Sequence, residues 1–277
     1  VSCTAFVLGG GGLLGAAEAG MARALLEAGV VPDLVLGTSI GAINGAALAA
    51  DPTPEAASRL VEMWGGLSAD DVLGGSLLGR IGELLRTRTS LHSNSSLRRL
   101  LQQYLPETFE DLAAPFQCVA ASVERAQEQW FSEGPLIRAV LASAALPGVF
   151  PAVEIDGEHY LDGGLVNSIP ISRAVQLGAD VVWVLHVGRI EEPLSAPRFP
   201  WEVGFVAFEV ARRHRFHTDL AHLPDGVTVH VLPTGLGDRH SSTWSNLRYR
   251  DRGRIGNRTD LAYTATLEYV TDLERKA

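Results

Sequence analysis

The segment Gly37-Thr38-Ser39-Ile40-Gly41 sets a serine between two glycines, in a pattern that could make a nucleophile. An apolar run, Leu34–Leu36, comes before it, and a stretch of small residues, Ile40–Ala50, comes after. That order predicts a strand, a sharp turn and a helix, the setting in which the serine of G-x-S-x-G stands exposed. The backbone at such a turn is strained, and side chains two residues to either side would strike neighbouring elements. Glycine at 37 and 41 removes the clash and leaves the hydroxyl proud of the sheet. The helix opening at Ile40 also turns its positive end toward the site, where negative charge would develop. The plainer alternative is a glycine-rich turn in which Ser39 only caps a helix.

A second glycine cluster, Gly9-Gly10-Gly11-Gly12-Leu13-Leu14-Gly15, lies between the apolar run Thr4–Leu8 and a predicted helix over Leu14–Ala28 closed by Gly29. Consecutive glycines let backbone N–H groups converge beside a helix N-terminus, and such a nest can hold a phosphate or an oxyanion. Gly10, Gly12 and Gly15 also satisfy G-x-G-x-x-G, so a dinucleotide-binding oxidoreductase is a competing reading. That reading needs an acidic residue at the end of the second strand. Asp33 precedes Leu34–Leu36 instead, and Gly37-Thr38-Ser39 occupies the required place. It survives only as a minor alternative.

A serine nucleophile needs a proton acceptor. None of the eight histidines falls in a strand-end loop with suitable turn chemistry: His159 alternates within a predicted strand, and His214 and His217 share a helix with arginines. Two aspartates are better placed. Asp156-Gly157 sits between alternating strands and reads as a hairpin turn. Asp162-Gly163-Gly164 ends the return strand and opens a loop into a helix, where a carboxylate would be held at the sheet edge with glycines admitting another loop.

The elements that must position these groups alternate strand with helix, which implies an α/β fold of three layers, a mostly parallel central sheet with helices on both faces. Strands are expected at Thr4–Leu8, Leu34–Leu36, Pro115–Ser122, Gln129–Ser132, Ala152–Ile155, Glu158–Leu161, Val181–Val187 and Val227–Leu232. Helices are expected at Ile40–Ala50, Leu136–Ala145, Ile171–Leu177, Trp201–Leu223 and Asp260–Arg275. Trp201–Leu223 carries apolar residues at helical spacing and then Arg212, Arg213 and Arg215; core packing is favoured over an interfacial membrane helix. Trp64–Leu91, leucine-rich and broken by glycines, is the candidate lid. No linker divides residues 1–277, so one domain is expected, with its motifs in about 5–232 and a C-terminal helical extension over about 235–277.

Taken together, the glycine loop, G-T-S-I-G, A-S-A-A-L-P-G-V-F-P (Ala142–Pro151) and D-G-G-L-V-N-S-I-P (Asp162–Pro170) resemble the patatin-like phospholipases in order and spacing, from about Ala5 to Leu232. The resemblance implies a Ser39–Asp162 dyad with neither histidine nor metal nor cofactor. It also implies an oxyanion hole built from backbone amides of Gly10, Gly11 and Gly12, and hydrolysis of lipid acyl esters of the phospholipase A, lysophospholipase or carboxylesterase kind. Many members carry Arg or Lys before the last glycine of the loop, where this chain has Leu14. That departure weighs on head-group preference rather than on hydrolysis. Ala142–Pro151 is read as structural, with Pro147 and Pro151 bracketing a turn into the hairpin. A non-catalytic lipid-binding or regulatory module on the same fold is the alternative function.

Composition sets the remaining bounds. Of 277 residues, 46% are hydrophobic and 20% charged, enough to bury a sizeable core. A formal net charge of −9 argues against nucleic-acid binding and against strong attraction to anionic membranes. Cys3 and Cys118 are expected as free thiols. No apolar run is long enough to span a bilayer, and Thr4–Leu8 lacks the basic lead-in of a signal peptide. The expected partner is a lipid or ester substrate met at a membrane surface, and the expected location cytoplasmic with peripheral membrane attachment.

Overall fold

The computed structural model describes residues 2–66, 93–187, 193–235 and 252–276. Among the described residues, eight strands form one sheet: β1 (Thr4–Leu8), β2 (Leu34–Thr38), β3 (Phe116–Ser122), β4 (Gln127–Phe131), β5 (Val153–Ile155), β6 (Glu158–Asp162), β7 (Val181–Leu185) and β8 (Thr228–Val231). Their order is β5-β6-β3-β2-β1-β7-β8, with β4 also paired to β3. The β3-β2-β1-β7-β8 run is parallel, whereas β4, β5 and β6 join by antiparallel pairs.

Strand alternation sorts the side chains into two cores, one on each face of the sheet. On β1, Phe6 and Leu8 enter the larger core while Ala5 and Val7 enter the smaller. On β7, Trp183 and Leu185 face the first, and Val182 and Val184 the second. The larger core is covered by α1 (Ala16–Glu27), α2 (Ile40–Ala50), α3 (Pro54–Gly66), α4 (Ser95–Tyr104) and α5 (Leu136–Ser143). The other face carries α6 (Ile171–Gln176) and α7 (Pro200–Ala221), with Ile171, Ala174 and Phe216 in the smaller core. The central helix α2 buries nearly every residue, which its run of Ala, Gly and Ile permits. This is the three-layer α/β arrangement that the sequence implies.

Three elements differ from expectation. The first predicted helix begins as a 3₁₀ turn over Gly12–Gly15, and α1 proper starts at Ala16. The final helix, α8 (Arg252–Glu274), starts eight residues earlier than Asp260. Gly253 and Gly256 weaken its helical signal, and tertiary docking outweighs propensity there: Ala262 is fully buried, the Thr259 hydroxyl donates to the Ala16 carbonyl, and the Arg23 guanidinium lies over the Tyr263 ring. Of the candidate lid, Trp64 belongs to α3, where it is buried and its indole N–H donates to Asn44 Oδ1 at 3.0 Å. Residues 67–91 of that candidate lie outside the described residues, as does the polar stretch 236–251. Cys3 and Cys118 are both free.

Candidate active site

Sheet register explains how two residues 123 positions apart come together. Along β3, one edge is taken by β4, which pairs with Cys118 through Ser122. The other edge is shared. β2 runs parallel along its first part and ends with Thr38 opposite Val119, while β6 runs antiparallel along its second part and ends with Asp162 opposite Ala120. The two strands therefore meet head to head on adjacent residues of β3. Both must leave the sheet there, β2 into the turn at Ser39 and β6 into a 3₁₀ turn over Gly163–Leu165.

The departure of β2 is sharp. Ser39 has φ 57° and ψ −122°, in the left-handed half of the map that L-residues avoid. The turn folds α2 back so tightly that a Cβ on Gly37 would lie 2.4 Å from the Gly41 carbonyl oxygen, and one on Gly41 would lie 2.3 Å from the Leu8 carbonyl oxygen. Both contacts are to backbone, so no side-chain adjustment could relieve them. The strain is held from three sides. The Ser39 N–H donates to the buried Ser143 Oγ at 2.9 Å, its carbonyl accepts from the Ala42 N–H, and the Thr38 hydroxyl donates to the Asn167 carbonyl at 2.9 Å.

At the tip, Ser39 Oγ donates to Asp162 Oδ2 at 2.6 Å. The other carboxylate oxygen, Oδ1, accepts from the Gly164 N–H at 2.7 Å, and the Asp162 N–H donates to the Ala145 carbonyl. Asp162 is buried, and loss of solvation pushes its carboxyl up to about 6, against the lowering effects of the Ser39 hydroxyl, the Gly164 amide and the Arg212 guanidinium. Desolvation thus brings the carboxylate close to neutral pH, where a base works best. The residues form a short, charge-assisted hydrogen bond of the kind that prepares a hydroxyl for proton loss.

The glycine loop lies beside this pair, at the carboxyl ends of the parallel strands, where open α/β sheets place ligands. A Cβ built on Gly10 would sit 3.4 Å from Ser39 Cβ, and one on Gly11 would overlap Val187 at 1.6 Å, so the loop is pressed between the elbow and the chain after β7. Of the expected oxyanion donors, the Gly10 N–H is already engaged, donating to the Ser168 carbonyl at 2.9 Å. The 3₁₀ turn that opens at Gly12 points its first N–H groups out of its N-terminus. Beneath the loop, Glu18 is fully buried, and desolvation holds its carboxyl well above the usual carboxylate range. Asn44 Nδ2 donates both to Glu18 Oε2 at 2.8 Å and to the Gly15 carbonyl at 2.9 Å, tying the loop to α2.

Other candidates from the sequence fall elsewhere. Asp33 lies at the amino ends of the strands, where it accepts from the Thr4 N–H at 2.8 Å, at the opposite end of the sheet from the loop, so it cannot hold a ribose there. Asp156 is at the hairpin tip with φ 52°. His159 pairs with Glu124 at the surface, and His230 stacks on Trp183. His92 and His240 lie outside the described residues. Two contributors were not foreseen. Ser143 sits in the segment expected to be structural, and Arg212 in the basic turn that follows the apolar part of its helix, yet Arg212 is buried and donates through Nη1 to the Gly10 carbonyl at 2.7 Å. A serine in a small-residue helix carries no signal of its own, and only tertiary docking reveals the arginine.

A family profile described as Patatin-like phospholipase matches residues 6–175, a span that contains the glycine loop, the elbow and Asp162. The chain belongs to the patatin-like phospholipase family. Among relatives of this patatin-like chain, the "Lysophospholipase nte1" of Aspergillus terreus is 31% identical over 194 residues, covering 67% of this chain and 12% of that protein. The "Patatin-like phospholipase domain-containing protein 7" of Rattus norvegicus is 34% identical over 194 residues, covering 68% of this chain and 14% of that protein. The patatin-like chain therefore spans only about an eighth of the length of these relatives. In fold it is similar to the type III effector protein ExoU, with a TM-score of 0.50 at 18% identity, covering 98% of this chain and 53% of that one.

Proposed function

We propose that this chain is a serine-dependent lipid acyl hydrolase in which Ser39 is the nucleophile and Asp162 the general base. The observation that carries the reading is the 2.6 Å hydrogen bond from Ser39 Oγ to a buried carboxylate. A serine and aspartate from distant strands, one of them at strained backbone angles, need a reason to persist; a non-catalytic binding module supplies none.

In the first half-reaction, Ser39 Oγ bonds to the ester carbonyl carbon as its proton passes to Asp162 Oδ2. The carbonyl π electrons move onto oxygen, forming the oxyanion. With the Gly10 N–H held by Ser168, we assign the oxyanion to the Gly11 and Gly12 amides, assisted by the N-terminal end of α2. The tetrahedral centre collapses, the alcohol leaves with the proton from Asp162, and the acyl group stays on Ser39. Water then attacks the acyl-enzyme, giving its proton to the same carboxylate, and the fatty acid leaves as Ser39 recovers its hydrogen. We take lysophospholipids and related monoacyl esters as its substrates, a choice supported by the name of the relative "Lysophospholipase nte1".

The test is hydrolysis of a panel containing lysophosphatidylcholine, phosphatidylcholine, monoacylglycerol and p-nitrophenyl acyl esters by wild type and Ser39→Ala. Release of fatty acid by the wild type alone is expected. Equal release by both proteins, or none by a folded wild type on any ester, contradicts the reading.

A further inference from the structure

Arg212 is the one guanidinium that reaches the glycine loop among the described contacts, and it does so from α7, 202 residues along the chain. It is buried, with side-chain exposure of 7%. Its Nη1 donates to the Gly10 carbonyl at 2.7 Å, and its Nε lies 3.2 Å from Glu209 Oε1 on the same helix. Glu209 also faces Arg213 at 3.4 Å, so the acid is shared between two cations. The charged groups acting on Arg212 are Glu209, Arg213 and Asp162, and Arg212 in turn acts on Asp162. The segment Gly9–Gly15 contains no charged residue of its own, and position 14 is leucine.

The peptide geometry gives this contact a consequence. Residues 10 and 11 share one planar trans peptide, in which the C=O and the N–H point in opposite directions. The Gly10 N–H is pinned on Ser168 and the Gly10 C=O on Arg212, so the peptide planes on both sides of Gly10 are fixed. With its carbonyl drawn to the guanidinium, the following N–H, that of Gly11, must face away from Arg212. We infer that Arg212 is a positioning residue that aims the Gly11 amide at the forming oxyanion, while its charge acts on Asp162 from the same place. This rests on the Ser39–Asp162 reading above.

The electrostatics run in the same direction throughout the reaction. Before attack the negative charge is on Asp162; after proton transfer it is on the oxyanion held by the loop. The guanidinium acts on Asp162 through space, and on the oxyanion through the Gly10–Gly11 peptide whose carbonyl it holds, so one fixed cation favours the negative charge at both stages without reorganisation. Lysine cannot reproduce this contact fully, because an ammonium lacks the planar fork that bonds Gly10 and Glu209 together.

The experiment measures kcat, KM and pH profile of Arg212→Met and Arg212→Lys on a p-nitrophenyl acyl ester, with melting curves to establish folding and Ser39→Ala alongside. Arg212→Met is expected to lower kcat by about tenfold to a hundredfold, the scale of a misplaced catalytic group, with KM within about twofold. Its acid limb should move to higher pH, because Asp162 loses the cation that favours its ionised form. Arg212→Lys should restore the limb, since the charge is kept, but only part of kcat. If Arg212→Met does not fold, Arg212→Lys decides: reduced kcat at unchanged KM supports the role. A folded variant of either kind with wild-type kcat and wild-type acid limb overturns it, leaving the dyad standing. Hydrolysis retained by Ser39→Ala overturns the dyad instead, and the role of Arg212 with it.

Discussion

Ser39 and Asp162 each hold a state that an isolated residue would reject, and each cost can be measured. Ser39 occupies φ 57°, strain of about 1–3 kcal/mol for a residue with a Cβ. Ser39→Ala and Ser39→Gly both lose the hydroxyl, but only glycine relieves the backbone. Ser39→Gly should therefore be the more stable of the two by about 1–2 kcal/mol in chemical denaturation, the reverse of the usual Gly–Ala order. Asp162 has its carboxyl raised to about 6 by burial, so activity should rise with pH through about 6 rather than through the ordinary carboxylate range. The sign for stability is opposite. A carboxyl raised in the folded state is fully accommodated below its unfolded pKa, and stability is lost as pH rises through the folded value, by about 3 kcal/mol for this displacement. Asp162→Asn should be inactive and should lack this loss, so its melting temperature relative to wild type should climb between about pH 4 and 7.

At the scale of elements, the site is a product of three chain ends converging: the ends of β2 and β6 on one edge of β3, and the end of α5 behind them. The end of α5 is the least conspicuous of the three. Ser143 closes that helix and accepts the nucleophile's own N–H inside the protein. Ser143→Ala leaves that amide without its partner at a half-buried, strained position, which costs about 1 kcal/mol or more. The expected result is a lower melting temperature together with a kcat reduced by more than the fall in folded protein explains, since the elbow loses one of its restraints. Ser143→Thr, which keeps the acceptor, should restore part of both.

Across the whole molecule, the sequence carries local order far better than it carries meetings between distant segments. The glycine loop, the elbow and the hairpin were legible because each depends on turn chemistry within a few residues. Every described strand lies where an apolar run or apolar alternation puts it, within a residue or two at its ends. Asp162 could be separated from Asp156 by its place after the return strand, but its distance from Ser39 depends on two strands sharing an edge of β3, which no local pattern encodes. Arg212 was hidden for the same reason, and Gly10 could not be told from Gly11 as a donor until Ser168 was seen to hold its N–H. The early start of α8 reflects docking against α1, again a tertiary effect. The most direct measurement of the central claim is mass spectrometry of the protein after fluorophosphonate treatment, with peptide mapping and labelling rates taken from pH 5 to 8. A single adduct on Ser39 is predicted, absent in Ser39→Ala, with a rate that rises through about pH 6 and is strongly reduced in Asp162→Asn. An adduct on another residue, or a rate indifferent to loss of Asp162, would contradict the account.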